Sequence, residues 1–165
     1  MTSTLTAVGT QVPARASRGA DRELTGPRPR VSGTVLSLLE TARRGLAEAA
    51  AEADPGTRYI CAHLAALRAA AAIVAARGEP GTSTRRRRPR SVWELLPQVE
   101  PALSEWAAFF AASAIKRAAA EAGLVRAVPA HEAEELLRDA TTFLNVAEHA
   151  LGVDGQLQLP LRPAS

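Results

Sequence analysis

A chain of 165 residues is long enough for one domain plus tails, with a real apolar core. At 47% hydrophobic but only 4% aromatic, the composition favours Ala- and Leu-rich helices, and the one cysteine, Cys61, excludes an internal disulfide framework. The net charge of +3 conceals an uneven spread: +3 over residues 1–30, +1 over 31–78, +4 over 79–90 and −5 over 91–165.

No apolar run comes near the roughly 18 residues of a membrane span, so no membrane contact is expected. The N-terminal residues hold no apolar segment of the signal-peptide kind. With a lone thiol, this points to a reducing, cytoplasmic setting. Residues 1–30 carry five Arg and are punctuated by Pro13, Gly19, Gly26, Pro27 and Pro29. They read as a disordered tail, in preference to a transit peptide, because Pro and Gly break any amphipathic helix.

Residues 31–152 read as the folded domain. The first helix is expected from Ser32 to about Ala53. Val35, Leu38, Leu39, Ala42, Leu46, Ala49, Ala50 and Ala53 form its apolar stripe, and Asp54-Pro55-Gly56 ends it. The second takes Thr57 as N-cap and stops at Gly78. Ile60, Leu64, Leu67, Ala71 and Val74 form its stripe, and His63 sits at the edge, about 60° from its centre. Tyr59 lies one turn earlier, within reach of the imidazole.

Residues 79–90 form a basic loop, with Arg85, Arg86, Arg87, Arg88 and Arg90 packed into six positions. The loop can meet a polyanion or fold back onto the acidic half of the chain. Ser91 and Glu94 make a capping box for a short helix that meets Pro97. Pro101 opens a long helix running to about Ala122, and Gly123 closes it. Its stripe is Val99, Ala102, Leu103, Trp106, Phe109 and Phe110, continued by the polar Ser113 and Arg117. These two need partners, for which His63 and Tyr59 are candidates. The last helix starts near Pro129, with Glu132, Glu134 and Glu135 suited to its dipole, and ends at Gly152. Residues 153–165 read as a tail. Four long helices and one short one, joined by short connections, predict an all-α, up-and-down bundle.

No Glu-x-x-His pair and no second cysteine is present, so no metal is expected, and no phosphate-binding Gly loop or nucleophile elbow points to a cofactor. His131 and His149 fall opposite the apolar stripe of the last helix; only His63 is placed to feel an enclosed space.

Arg58 and His63 match an Arg-x4-His pattern. The run Arg58-Tyr59 through Ala62-His63-Leu64-Ala65-Ala66-Leu67-Arg68 continues the likeness, as do Arg86-Arg87-Arg88-Pro89-Arg90-Ser91-Val92-Trp93-Glu94-Leu95-Leu96-Pro97, Glu105-Trp106-Ala107-Ala108-Phe109-Phe110-Ala111 and Glu135-Leu136-Leu137-Arg138-Asp139-Ala140. Over about residues 32–152 the chain resembles the HEPN superfamily of helical nucleotide-binding domains, and within it a small actinobacterial HEPN-like family. The resemblance implies a bundle of four or five helices, often dimeric. It leaves two readings. One is a non-catalytic module that associates with RNA or nucleotide, with Arg85–Arg88 and Arg90 as the contact, or with a protein partner, whether a second copy or another helical protein. The other is a metal-independent endoribonuclease. There the resemblance makes His63 the general acid/base and Arg58 the anion clamp, with Tyr59, Ser113 and Arg117 in support. The two motif residues lie about 140° apart on an ideal helix, so they converge only if the first turn bends or a second subunit contributes.

Overall fold

The structure is a computed structural model that describes residues 30–78, 90–124 and 126–153. Every regular element among them is helical: α1 (Gly33–Ala51), α2 (Pro55–Arg77), α3 (Val92–Val99), a short 3-10 turn (Pro101–Leu103), α4 (Ser104–Glu121) and α5 (Ala130–Ala150). The expected all-α bundle is the fold. Arg85–Arg88 and most of the basic loop lie outside the described residues, as do residues 1–29 and 154–165.

The helices start where short polar side chains take up free backbone N–H groups. The Ser32 hydroxyl accepts from the Val35 N–H at 3.3 Å. The expected capping box is present: Ser91 Oγ accepts from the Glu94 N–H at 3.3 Å, and Glu94 Oε2 accepts from the Ser91 N–H at 3.0 Å.

Two boundaries differ from the expected ones. Asp54, not Thr57, caps α2: its carboxylate accepts from both the N–H and the hydroxyl of Thr57 at 2.8 Å, with Pro55 as first residue. Asp54-Pro55 is therefore a start signal, since proline gives up no bond at that position. The short helix also runs through Pro97 to Val99, losing one intrahelical bond while Leu96 stays fully buried. Pro101 opens a 3-10 turn in place of the long helix, which begins at Ser104.

α2 packs against every other helix. By length and hydropathy it could cross a membrane, contrary to the expectation that no segment would qualify. Here it is the helix around which the others are built. Ten of its residues are buried, among them Ala62, Ala65, Ala66, Ala69, Ala70 and Ala72. These small side chains let α1 approach closely: a β-carbon on Gly45 of α1 would lie 3.4 Å from that of Ala65. Volume missing from the alanine-lined side is made up by rings on the other. Phe110 stacks on Trp93 and on Trp106, centroids 5.1 and 5.9 Å away, and leans on Phe143 at 5.2 Å. The core extends past the expected end of the domain, since Val153 is fully buried. Ion pairs tie the elements together: Arg43 of α1 to Glu148 of α5 at 2.6 Å, and Arg77 of α2 to Glu100 at 3.1 Å.

Candidate functional site

His63 lies in the middle of α2, 0% exposed. Its ring meets the edges of Trp93 and Phe110, at centroid distances of 5.8 and 6.1 Å. Both nitrogens are engaged. Nε2 lies 2.9 Å from the Phe110 carbonyl of α4, and Nδ1 lies 3.3 Å from an Nη of Arg117, two turns further along α4. A carbonyl only accepts and a guanidinium only donates. The Nε2–H must therefore donate to Phe110, and the Nδ1 lone pair must accept from Arg117. This is the neutral imidazole in one fixed tautomer. Burial, chiefly, holds its pKa below the ordinary histidine value, and the charge on Arg117 acts in the same sense; the bond to Phe110 and the charge on Glu121 oppose them.

Arg58 turns elsewhere. Its Nε and one Nη donate to the carbonyl of Glu52, just past the end of α1, at 3.0 and 2.7 Å. Its other Nη faces Glu134 of α5 at 3.7 Å. The guanidinium closes the α1–α2 corner, whereas the imidazole faces α4. Of the two guanidinium groups singled out around His63, Arg117 reaches the ring.

The remaining candidates fall in varied places. Tyr59 is buried. Ser113 donates its hydroxyl to the Phe109 carbonyl within its own helix at 2.9 Å. Arg90 is exposed and donates to Gln98 at 3.0 Å.

Carboxylates answer three cations of α2 and α4. Arg58 faces Glu134, Lys116 is bonded to Glu132, and Arg117 Nε lies 3.4 Å from Glu121. The bond to Glu132 raises the Lys116 pKa and keeps that ammonium charged. Glu132 and Glu134, early acids of α5 expected to serve the helix dipole, thus also neutralise cations of α4 and α2. No group of metal-ligating side chains occurs among the described residues.

The sequence reading missed the outer side of α4. Phe109, placed in its core stripe, is 42% exposed, and Ile115 and Leu124 are 78% and 61% exposed. The buried line of α4 runs through Leu103, Ala107 and Phe110, which leaves Phe109 on its flank. The available signal was Ile115 itself, a large apolar residue off that line. Beside it an open groove of about 790 Å³ is lined by Ala112, Ile115, Lys116, Ala119, Leu124, Arg126 and Ala127.

No curated protein and no solved structure matches the chain. A family model described as SAV_6107-like HEPN matches residues 49–148. That span begins in the last turn of α1, includes Arg58 and His63, and runs to the last turn of α5. With most of its length matched, the chain belongs to this HEPN family.

Proposed function

We propose that this chain works by association and not by turnover: it is a non-catalytic HEPN-like helical module that engages a protein partner in preference to RNA or nucleotide. The observation that carries the reading is the double commitment of the His63 imidazole. A general acid/base must exchange a proton with substrate from an accessible nitrogen. Here one nitrogen is closed by a backbone carbonyl, the other by a guanidinium, and aromatic side chains pack around the imidazole. The choice of protein over polyanion is supported by the carboxylates that answer Arg58, Lys116 and Arg117, and by the apolar surface exposed on α4.

The test is incubation of the full chain with single-stranded and structured RNA in the presence of EDTA. No cleavage is expected, and any RNA binding should be weak and confined to low salt. Cleavage that survives chelation and vanishes in Arg58→Ala and in a His63→Gln variant shown by circular dichroism to be folded would overturn the reading in favour of the endoribonuclease. Tight binding that is lost when Arg85–Arg88 are neutralised would move the partner class to RNA.

A further inference from the structure

The apolar stripe expected on α2 is not its buried side. Ile60, Leu64, Leu67 and Ala71 are only half-buried, because alanines take the inward positions. Toward the end of the helix this side deepens into a groove of about 420 Å³ against α3. Ala71, Val74, Ala75, Val92 and Leu95 line it, together with Gly78 and Arg90. Ala75 is exposed, and Ala71, Val92 and Leu95 are half-exposed, so apolar surface stands open to a ligand in a cleft of suitable size.

The chain that follows α5 is led toward this end of α2. Arg77, the residue before Gly78, donates to the Ala150 carbonyl at 3.0 Å, which joins the last turns of α2 and α5. Gly152, with a φ of 66°, turns the backbone. The Val153 N–H donates to the Glu148 carbonyl at 3.0 Å, and Val153 is fully buried. The next residues read Asp154-Gly155-Gln156-Leu157-Gln158-Leu159-Pro160-Leu161-Arg162-Pro163. Proline at 160 and 163 opposes a helix. On an extended chain Leu157, Leu159 and Leu161 share one side.

We propose that residues 157–161 lie extended in the α2–α3 groove of their own chain and cover it with these three leucines. The reach suffices. Leu157 stands four residues after Val153, about 13 Å of extended chain, and Leu161 stands about 13 Å further on. The contact sets leucine against alanine, valine and leucine and leaves Gln158 on the solvent side. Neighbouring segments offer nothing equivalent. Residues 79–89, which follow Gly78, hold no large apolar residue, and those of residues 1–29 are spread out at Met1, Leu5, Val8, Val12 and Leu24. A partner that presents an extended segment of the same alternating kind can then enter the groove only by displacing the chain's own leucines. The proposal goes beyond the non-catalytic reading and does not depend on it.

The experiment places a nitroxide on Gln158→Cys, in a Cys61→Ser background of the full chain, and reads the backbone amides of isotope-labelled protein by NMR. Amides of Val74, Ala75, Val92 and Leu95 should broaden, and those of Ile115 and Leu124 should not. Ala75→Arg, at an exposed position, should abolish the broadening. A mixture of isotope-labelled chain without nitroxide and unlabelled chain with it should show none. A fluorescent peptide of residues 154–165 should bind the full chain carrying Leu157→Ser, Leu159→Ser and Leu161→Ser at least several-fold more tightly than wild type, whose groove is already filled.

Broadening at Ile115 and Leu124 in place of the groove, or at no amide, overturns the proposal. So does broadening in the mixture equal to that within one chain, or equal peptide binding by wild type and the triple variant. Those results leave the non-catalytic reading standing. RNA cleavage in the earlier test would sink that reading and leave the position of the leucines to be judged by the amides alone.

Discussion

At the level of single residues, the His63 imidazole ties α2 to α4 as a polar bolt within an aromatic pocket. Truncation to alanine would remove the side-chain donor to the Phe110 carbonyl and the acceptor of one Arg117 Nη, and open a void. His63→Ala should therefore lose about 2–4 kcal/mol of stability, read as a lower urea midpoint. The bolt also makes stability depend on pH. Its folded pKa lies below the ordinary value, mainly through burial, so the unfolded chain takes up the proton first. The stabilisation is complete above the unfolded value of about 6.5 and is lost as pH falls below it, until the folded form also protonates. A proton on Nδ1 would point at the Arg117 guanidinium, a repulsion that the Glu121 carboxylate paired with Arg117 partly offsets. The urea midpoint of wild type should drop between pH 7.5 and 5.0 by more than that of His63→Gln; equal drops would deny His63 this role. The sequence carried part of this. Spacing put His63 at the edge of a buried stripe and marked Arg117 as a polar group in need of a partner. It could not show the Phe110 acceptor, because a backbone carbonyl has no residue signature.

At the level of elements, periodicity located all five helices, and their ends depended on which capping signal won. Asp54 and Thr57 are both acceptable caps; the aspartate wins because Pro55 follows it and cannot continue α1. Helix α3, eight residues long, is too short to persist on propensity alone and depends on its capping box and on the burial of Trp93 and Leu96. Ser91→Ala should cost about 1 kcal/mol, measured by chemical denaturation. An unchanged midpoint would mean that Glu94 and packing hold the end unaided. The α1–α2 contact depends on small residues in both helices. Ala65→Leu would drive a branched side chain against Gly45 and should cost about 1–3 kcal/mol through overpacking. A shift in thermal midpoint of under about 2 °C would show that the interface is looser than the close Gly45–Ala65 approach implies. The opposite face of α4 could not be read in this way, because alanine suits a buried and an exposed helix position equally well and only Ile115 departed from the pattern.

At the level of the whole molecule, charge is arranged so that the α5 carboxylates cancel cations contributed by α2 and α4. Net charge along the sequence shows a basic first half and an acidic second half; it cannot show that Glu132 meets Lys116 or that Glu134 meets Arg58, because those pairings depend on how the helices are brought together. If cancellation is what keeps this surface from attracting polyanions, removing it should create an affinity that the wild-type surface lacks. Glu132→Gln with Glu134→Gln frees two cations without changing side-chain volume. To keep the arginine run from masking the result, wild type and variant should both carry Arg85–Arg88 replaced by Gln. Fluorescence anisotropy with a labelled oligoribonucleotide should then show tighter binding by the double variant at low salt. Its log–log salt dependence should be steeper by about 1.4, two added phosphate contacts on a single strand. Identical binding curves would mean that Arg58 and Lys116 are held by the fold too firmly to reach a phosphate, and the preference for a protein partner would then rest on the exposed face of α4 alone.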